Sequence, residues 1–258
     1  MRGRSRSALE IALAIVLFVR EASAFDPFEI QVYDGTAVPA RGMGFELHSN
    51  AFVRGLKEAN GSELPLDRQL HFTLESFIGL FSWWELGTYL QTAYGPDGNF
   101  HLAGTKLRTK FVTPPKKNPK TIWDHFRFGI NGELGIIPRT FDRDVWGIEL
   151  RPIAAYEDRY VSIAVNPIFD FGKTGVSFQP SIMALYKFDQ KASIGLEYYA
   201  NFGVIGEPSP IEKQEHYVFP VMNLLAIPHF EFNFGAGAGL TKGSNPFIVK
   251  MILGYVWE

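Results

Sequence analysis

Alternate residues from Phe247 onward, namely Phe247, Val249, Met251, Leu253, Tyr255 and Trp257, are all apolar or aromatic. Between them stand Ile248, Lys250, Ile252, Gly254, Val256 and Glu258, a mixed set that carries the charges. Period two sustained over this length means a β-strand with two unlike faces. An all-apolar face with aromatics toward its end, on the last strand of the chain, suits an outer face in lipid with aromatics at the interface. Such strands usually end on an aromatic residue; here Trp257 is penultimate and Glu258 follows.

The other end of the chain points the same way. Arg2, Arg4 and Arg6 precede an apolar run from Ile11 to Val19, and Ala22-Ser23-Ala24 offers a small-residue cleavage site. This is the layout of a secretory signal peptide, and the run is too short to cross a bilayer as a helix. Residues 1–24 are therefore expected to be removed, and fold reasoning starts at Phe25. No later apolar run approaches the roughly 20 residues of a spanning helix. The chain has no cysteine, which excludes disulfides, thiolate catalysis and cysteine zinc sites. A net charge of −2 gives no electrostatic case for nucleic acid.

Strand-like segments then recur through the mature chain. The spans are 43–54, 69–80, 84–94, 100–112, 126–137, 145–155, 160–170, 176–188, 192–203, 215–225, 229–240 and 246–257, about twelve in all, an even number. In 126–136 the apolar face is Phe126, Phe128, Ile130, Gly132, Leu134 and Ile136, against Arg127, Gly129, Asn131, Glu133 and Gly135. In 229–240, Phe230, Phe232, Phe234, Ala236, Ala238 and Leu240 oppose Glu231, Asn233, Gly235, Gly237 and Gly239. Alternation alone does not say which face is outside, because a soluble barrel turns the apolar face in. Three facts decide. The segments match the transmembrane strand length of roughly 9–11 residues. Their polar faces carry long charged side chains and glycines rather than short polar groups. The signal peptide carries the chain past the inner membrane. The expectation is an all-β, transmembrane antiparallel β-barrel of about twelve strands in a bacterial outer membrane.

Three details test this reading. Pro152, Pro167, Pro180 and Pro220 fall inside proposed strands and should mark bulges or rims, because proline removes a ladder donor. Residues 25–42, with one β-like piece Phe28-Glu29-Ile30-Gln31-Val32-Tyr33, read as a segment in the periplasm or as a plug in the barrel mouth. With residue 43 on the periplasmic side, the connection Pro114-Pro115-Lys116-Lys117-Asn118-Pro119-Lys120 is long and basic where turns should be short.

The sequence resembles a group of uncharacterised bacterial outer-membrane barrels, similar to the "MetA-pathway of phenol degradation" transporters. The resemblance is carried by Phe28 to Gly35, Trp84-Glu85-Leu86-Gly87, Gly104-Thr105-Lys106-Leu107-Arg108, Glu149-Leu150-Arg151-Pro152-Ile153, Asn166-Pro167-Ile168 and Glu197-Tyr198-Tyr199-Ala200. These short motifs are spread over the mature chain. The resemblance implies an outer-membrane barrel, and the group's name implies passage of hydrophobic or aromatic compounds.

The inward faces collect the candidate lumen residues: Lys106, Arg108, Lys110, Arg127, Arg151, Glu85, Glu133, Glu149, Glu197 and Glu231. Lys106, Arg108 and Lys110 lie at i, i+2 and i+4, a basic stripe up one wall, with Leu102 and Val112 assigned to the same face. Glu197 and Glu231 lie well around the circumference. Opposed walls of this kind would orient polar solutes. The near balance of acids and bases favours instead a brace of ion pairs across neighbouring strands, such as Glu133 with Arg151 or Glu85 with Arg108, which can still leave a narrow path. Enzymatic activity is not expected. His48-Ser49 is the nearest hydrolase cue, but neighbours on a strand point to opposite faces. No catalytic residue or cofactor is assigned, since His71, His101, His125, His216 and His229 are scattered without a motif, and no metal is assigned, since no ligand spacing is present. The expected role is passive passage of small molecules, with a non-conducting structural barrel and then a lipid-acting enzyme as alternatives. The expected partners are outer-membrane lipid, a small-molecule solute and, through the C-terminal strand, the barrel assembly machinery.

Overall fold

The computed structural model describes residues 26–257 except 59–61, 115, 117, 143, 174 and 190. The expected signal peptide lies outside the described residues. The strands are β1 (Met43–Arg54), β2 (Leu70–Phe81), β3 (Trp84–Tyr94), β4 (Phe100–Val112), β5 (Phe126–Ile136), β6 (Trp146–Glu157), β7 (Val161–Asn166), β8 (Phe169–Gly172), β9 (Gly175–Phe178), β10 (Ser181–Lys187), β11 (Ala192–Asn201), β12 (Gly203–Val204), β13 (Glu207–Pro208), β14 (Glu215–Leu224), β15 (Phe230–Gly239) and β16 (Phe247–Trp257). Successive strands pair antiparallel, and β16 returns to pair with β1 from Met43↔Trp257 to Arg54↔Phe247. β7 with β8 and β9 with β10 each form one stave of the wall, while β12 and β13 extend two others at the rim. The result is a closed antiparallel barrel of 12 staves, on the spans expected from alternation. Closure removes the sheet edges from the wall, which satisfies the backbone in a lipid phase, and leaves only the short β13 with a single partner at the rim.

The prolines interrupt the wall rather than merely cap it. Asn166-Pro167 separates β7 from β8, and Gln179-Pro180 separates β9 from β10 on the neighbouring stave. Pro152 keeps its register with Ile130, but the ladder on its other side stops at Leu150 and resumes at Ala154. Pro220 falls in the gap between the Val218↔Ala238 and Val221↔Gly235 pairs. At each of the four positions a ladder is already open where proline supplies no donor.

The apolar face is outside. Phe128 is 55 % exposed, Leu107 63 % and Leu196 55 %, whereas Arg151 is 1 % and Lys250 0 % exposed. One assigned face changes. Gln91 pairs with Gly104 and Thr92 with Leu102, so a bulge at Ala103-Gly104 inserts a residue and reverses the alternation before it. Leu102 therefore faces outward at 65 % exposure, while Ala103 and Val112 face the lumen. Gly104 adopts φ +145°, a conformation open to glycine. The long basic connection closes in a 3-10 turn, Ile122–His125, tied by Asp124, which accepts from the backbone N–H of Lys120 and Thr121 at 2.9 and 3.0 Å and pairs with Lys116. The turn leaves Ile122 and Trp123 exposed beside the outward Phe126, the layout of an interfacial anchor.

Residues 26–38 run inside the barrel, and 39–42 turn into β1 at its mouth. Gly42 leads into β1 at the short-turn end, where Arg41 N–H donates to Gly79 O at 2.7 Å. A Cβ at Gly79 would lie 2.2 Å from Pro39 O, so the segment passes against the wall where β2 has no side chain. From there it climbs to Pro27 and Phe28, which meet Asn50 and His71 near the long-loop end.

Candidate functional site: the plugged lumen

The segment from Phe28 to Tyr33 keeps its period-two pattern but joins no ladder. Ile30 and Val32 pack into an apolar half of the lumen built from Ala164, Met183, Leu185, Tyr199, Phe219, Val221 and Ile248, among others. Glu29 and Tyr33 turn toward the charged half on β3 to β6. Wall side chains replace a sheet partner for the backbone. Asn166 Oδ1 accepts from Tyr33 N–H at 2.7 Å, and its Nδ2 donates to Tyr33 O at 2.9 Å. Lys250 Nζ donates to Ile30 O at 3.0 Å, Thr73 Oγ1 to Phe28 O at 3.0 Å, and Val38 N–H donates to Glu85 Oε2 at 2.8 Å. Such bonding is what a buried strand without neighbours requires.

Tyr33 is the hub of the charged half. Its hydroxyl donates to Glu29 Oε1 at 2.8 Å and lies 2.9 Å from the Tyr89 hydroxyl. Its ring faces Arg151 at 4.4 Å, Lys110 at 5.3 Å and Arg108 at 5.7 Å, distances at which cations bind an aromatic face.

Each sequence-predicted residue has a definite place around this hub. Lys106 pairs with Asp26 at 2.5 Å and Glu133 at 2.9 Å. Arg108 pairs with Glu85 at 2.6 Å and with Glu75. Lys110 reaches Glu85 at 3.0 Å. Arg151 holds Glu149 at 2.8 Å, Glu29 at 3.3 Å and Gln31 O at 3.4 Å. Glu197 pairs with Lys250 and accepts from Tyr199 at 2.6 Å. Arg127 sits lower, at the short-turn end, on Glu157 at 2.6 Å. Glu231 has no ion-pair partner among the described residues.

This geometry replaces an open transverse field by pairing, and it exchanges the partners in one of the expected pairs. The basic stripe does not stand free to set a field across an open lumen, because each of its members is neutralised by carboxylates on adjacent strands or on the plug. Glu85 with Arg108 forms as expected, but Glu133 takes Lys106, and Arg151 takes Glu149 and Glu29 instead. The sheared register brings side chains from neighbouring rows together, and the plug contributes acids that a wall-only count omits. Glu29, Tyr33, Tyr89 and Asn166 carry much of the site and had no assigned role. The cue available was the alternation of Phe28 to Tyr33, which matches a two-sided environment. His48 and Ser49 fall on opposite faces, His48 inward and fully buried, as a regular strand demands.

Above and below the plug are separate cavities. The one at the long-loop end has a volume of about 850 Å³; Phe28, Leu66, Phe141, Asp142, Glu149 and Asp170 are among its walls. The one at the short-turn end is about 680 Å³ and includes Tyr33, Glu46, Glu75, Lys110 and Glu231. They share no lining residue, and between them lies a layer of buried side chains that includes Glu29, Ile30, Tyr89 and Arg151.

Barrels of known structure share this architecture. The chain is similar to a structure described as the COG4313 outer membrane channel from Pseudomonas putida F1, with 14% identity and a TM-score of 0.61 over 89% of this chain and 100% of that one. It is also similar to the KdgM porin, at 9% identity and a TM-score of 0.53 over 84% and 99% of the two chains. A second structure, the KdgM porin in complex with disordered oligogalacturonate, aligns with a TM-score of 0.50 at 10% identity, over 84% of this chain and 98% of that one. No protein-family model matches the chain, and neither does any curated protein sequence. At these identities the likeness establishes the fold, that of outer-membrane barrels.

Proposed function

We propose that this chain is a bacterial outer-membrane channel for small molecules, with its long loops outside the cell and residues 26–38 acting as a removable plug. The observation that carries the reading is the pair of cavities at opposite ends of one lumen, separated by a segment held through side chains. A ladder-bonded strand would have to break a contiguous row of backbone bonds to leave. This segment leaves by exchanging discrete side-chain contacts, which water and solute can replace one at a time. The mixed walls of the long-loop cavity, with Phe28, Leu66 and Phe141 beside carboxylates, suit a solute with an apolar or aromatic body and a polar end. Passage is passive in this reading. The outward aromatic face of β16 would engage lipid and, during biogenesis, the assembly machinery.

The test is single-channel conductance of the full chain in a planar bilayer, alongside a Tyr33→Ala variant. Rare or brief openings in the native protein and frequent ones in the variant support the reading. Equal silence from both, with folded and inserted protein, overturns it and favours a non-conducting barrel braced by its ion pairs.

A further inference from the structure

At the wall of the short-turn cavity lies a group that the plug does not explain: Glu46 and Glu75 line the cavity, and the fully buried His48 lies against both. β1 places Glu46 and His48 two residues apart on the lumen face. The register of β1 with β2 sets Glu75 directly opposite Glu46, a like-charge pairing that destabilises a ladder unless something sits between. His48 Nε2 lies 3.4 Å from Glu46 Oε2 and 3.5 Å from Glu75 Oε2. Both separations exceed the 2.7–3.2 Å range of a good N–H···O bond. Neither ring nitrogen has a hydrogen-bond partner, although the side chain is 0% exposed. A tetrahedral ion with bonds of about 2.0–2.2 Å holds its ligand atoms about 3.3–3.6 Å apart. All three donor atoms fall within 4.8 Å of one another.

The charge around the site also calls for a cation. Glu46, Glu75, Glu85 and Glu231 line this cavity with Arg108 and Lys110. Arg108 occupies Glu75 Oε1 and shares Glu85 with Lys110, which leaves Glu75 Oε2 turned to His48. Beyond His48, Glu46 has only the neutral Gln31 amide at 3.3 Å among its hydrogen-bond and ion-pair partners in the described residues. Glu231 stands across Gly254, where a Cβ would meet Glu46 Cγ at 3.2 Å and Glu231 Cβ at 3.4 Å. Of these four carboxylates, Glu75 and Glu85 have Arg108 and Lys110, whereas Glu46 and Glu231 have no Lys or Arg partner among the described residues.

We infer that Glu46, His48 and Glu75 bind a divalent transition-metal ion, with zinc the best match, and that solvent in the cavity takes a fourth position. The imidazole disfavours magnesium and calcium, which prefer all-oxygen shells. The site is independent of whether the lumen conducts. Its competitor is a protonated His48 bridging the two carboxylates.

The experiment uses the untagged full chain in detergent, stripped with chelator and titrated with Co²⁺. A tetrahedral Co²⁺ absorption band saturating at one ion per chain, abolished by Zn²⁺, is expected, together with a higher melting temperature in Zn²⁺. Glu46→Gln and His48→Gln should each weaken Co²⁺ binding by at least roughly tenfold. Glu46→Gln removes a repulsion and should fold as the native chain does, so it decides alone if His48→Gln fails to fold. No Co²⁺ band and no Zn²⁺-dependent melting shift in folded native protein would overturn the inference in favour of the proton. Binding undiminished in Glu46→Gln would overturn it as well.

Discussion

The two halves of the lumen hold the same segment by different physics. On the β3 to β6 side, Glu29, Tyr33 and Asp26 are caught by Arg151, Arg108, Lys110 and Lys106 in a network where each bond depends on its neighbours. On the opposite side, the Ile30 and Val32 side chains lie against Met183, Leu185, Phe219 and Ile248 by contact alone, and only Lys250 and Asn166 bond the backbone there. A charged wall specifies one position of the plug and fails abruptly when one member is lost. An apolar wall stabilises a range of positions and fails gradually, since contact area is lost piece by piece. Together they give a plug that is held in register by its polar bonds and packed along one side by apolar contact.

The sharpest way to break this comparison is Arg151→Ala. It leaves Glu29 and Glu149 buried without their cation and should cost about 3–5 kcal/mol, seen as a large drop in the temperature at which the barrel loses its heat-modifiable gel mobility. Arg151→Lys should recover little, because only the planar guanidinium reaches both carboxylates while covering the Tyr33 ring. Ile30→Ala tests the apolar half. A loss of about 2–4 kcal/mol is expected from removed contact and the cavity left behind, and Ile30→Leu should be close to neutral by the same melting assay. If Arg151→Lys proves as benign as Ile30→Leu, the two walls do not differ in kind.

Asn166→Ala removes both bonds to the Tyr33 backbone and should cost about 1–3 kcal/mol. Its effect should fall on the plug rather than the wall. The chain has no native cysteine, so a Gln31→Cys reporter should react faster with a thiol reagent in this background while barrel melting shifts little. The smallest effect concerns the long-loop end. Burial, reinforced by Asp170, Asp26 and Asp144, raises the Asp142 carboxyl to about 6. The folded state then binds a proton that the unfolded chain has already released. The contribution of Asp142 to stability should therefore be present in full below the ordinary aspartate range and be lost as pH rises through about 6, and Asp142→Asn should flatten that part of the melting profile.

The strand spans, the closed barrel and the outward apolar face could be read from residue order. Each rests on a local property, the alternation of side chains along a strand, repeated in segments of membrane-spanning length. The same reasoning placed Leu102 inward, because a bulge is a single inserted residue that glycine permits but does not announce. The site was legible only as a set of inward charges. Which charge meets which depended on register and shear between strands far apart in sequence, so Glu133 met Lys106 and not Arg151. Glu46, His48 and Glu75 show the same limit: the third donor comes from another strand, where no spacing motif can show it.

Residue order alone thus determined what faces lipid, since hydrophobicity and pleat act within a few residues. Only the tertiary structure decided what fills the barrel. The segment 26–38 crosses the lumen because inward side chains from many staves together supply the bonds and apolar surface that no single strand provides, and that convergence exists only once the barrel has closed.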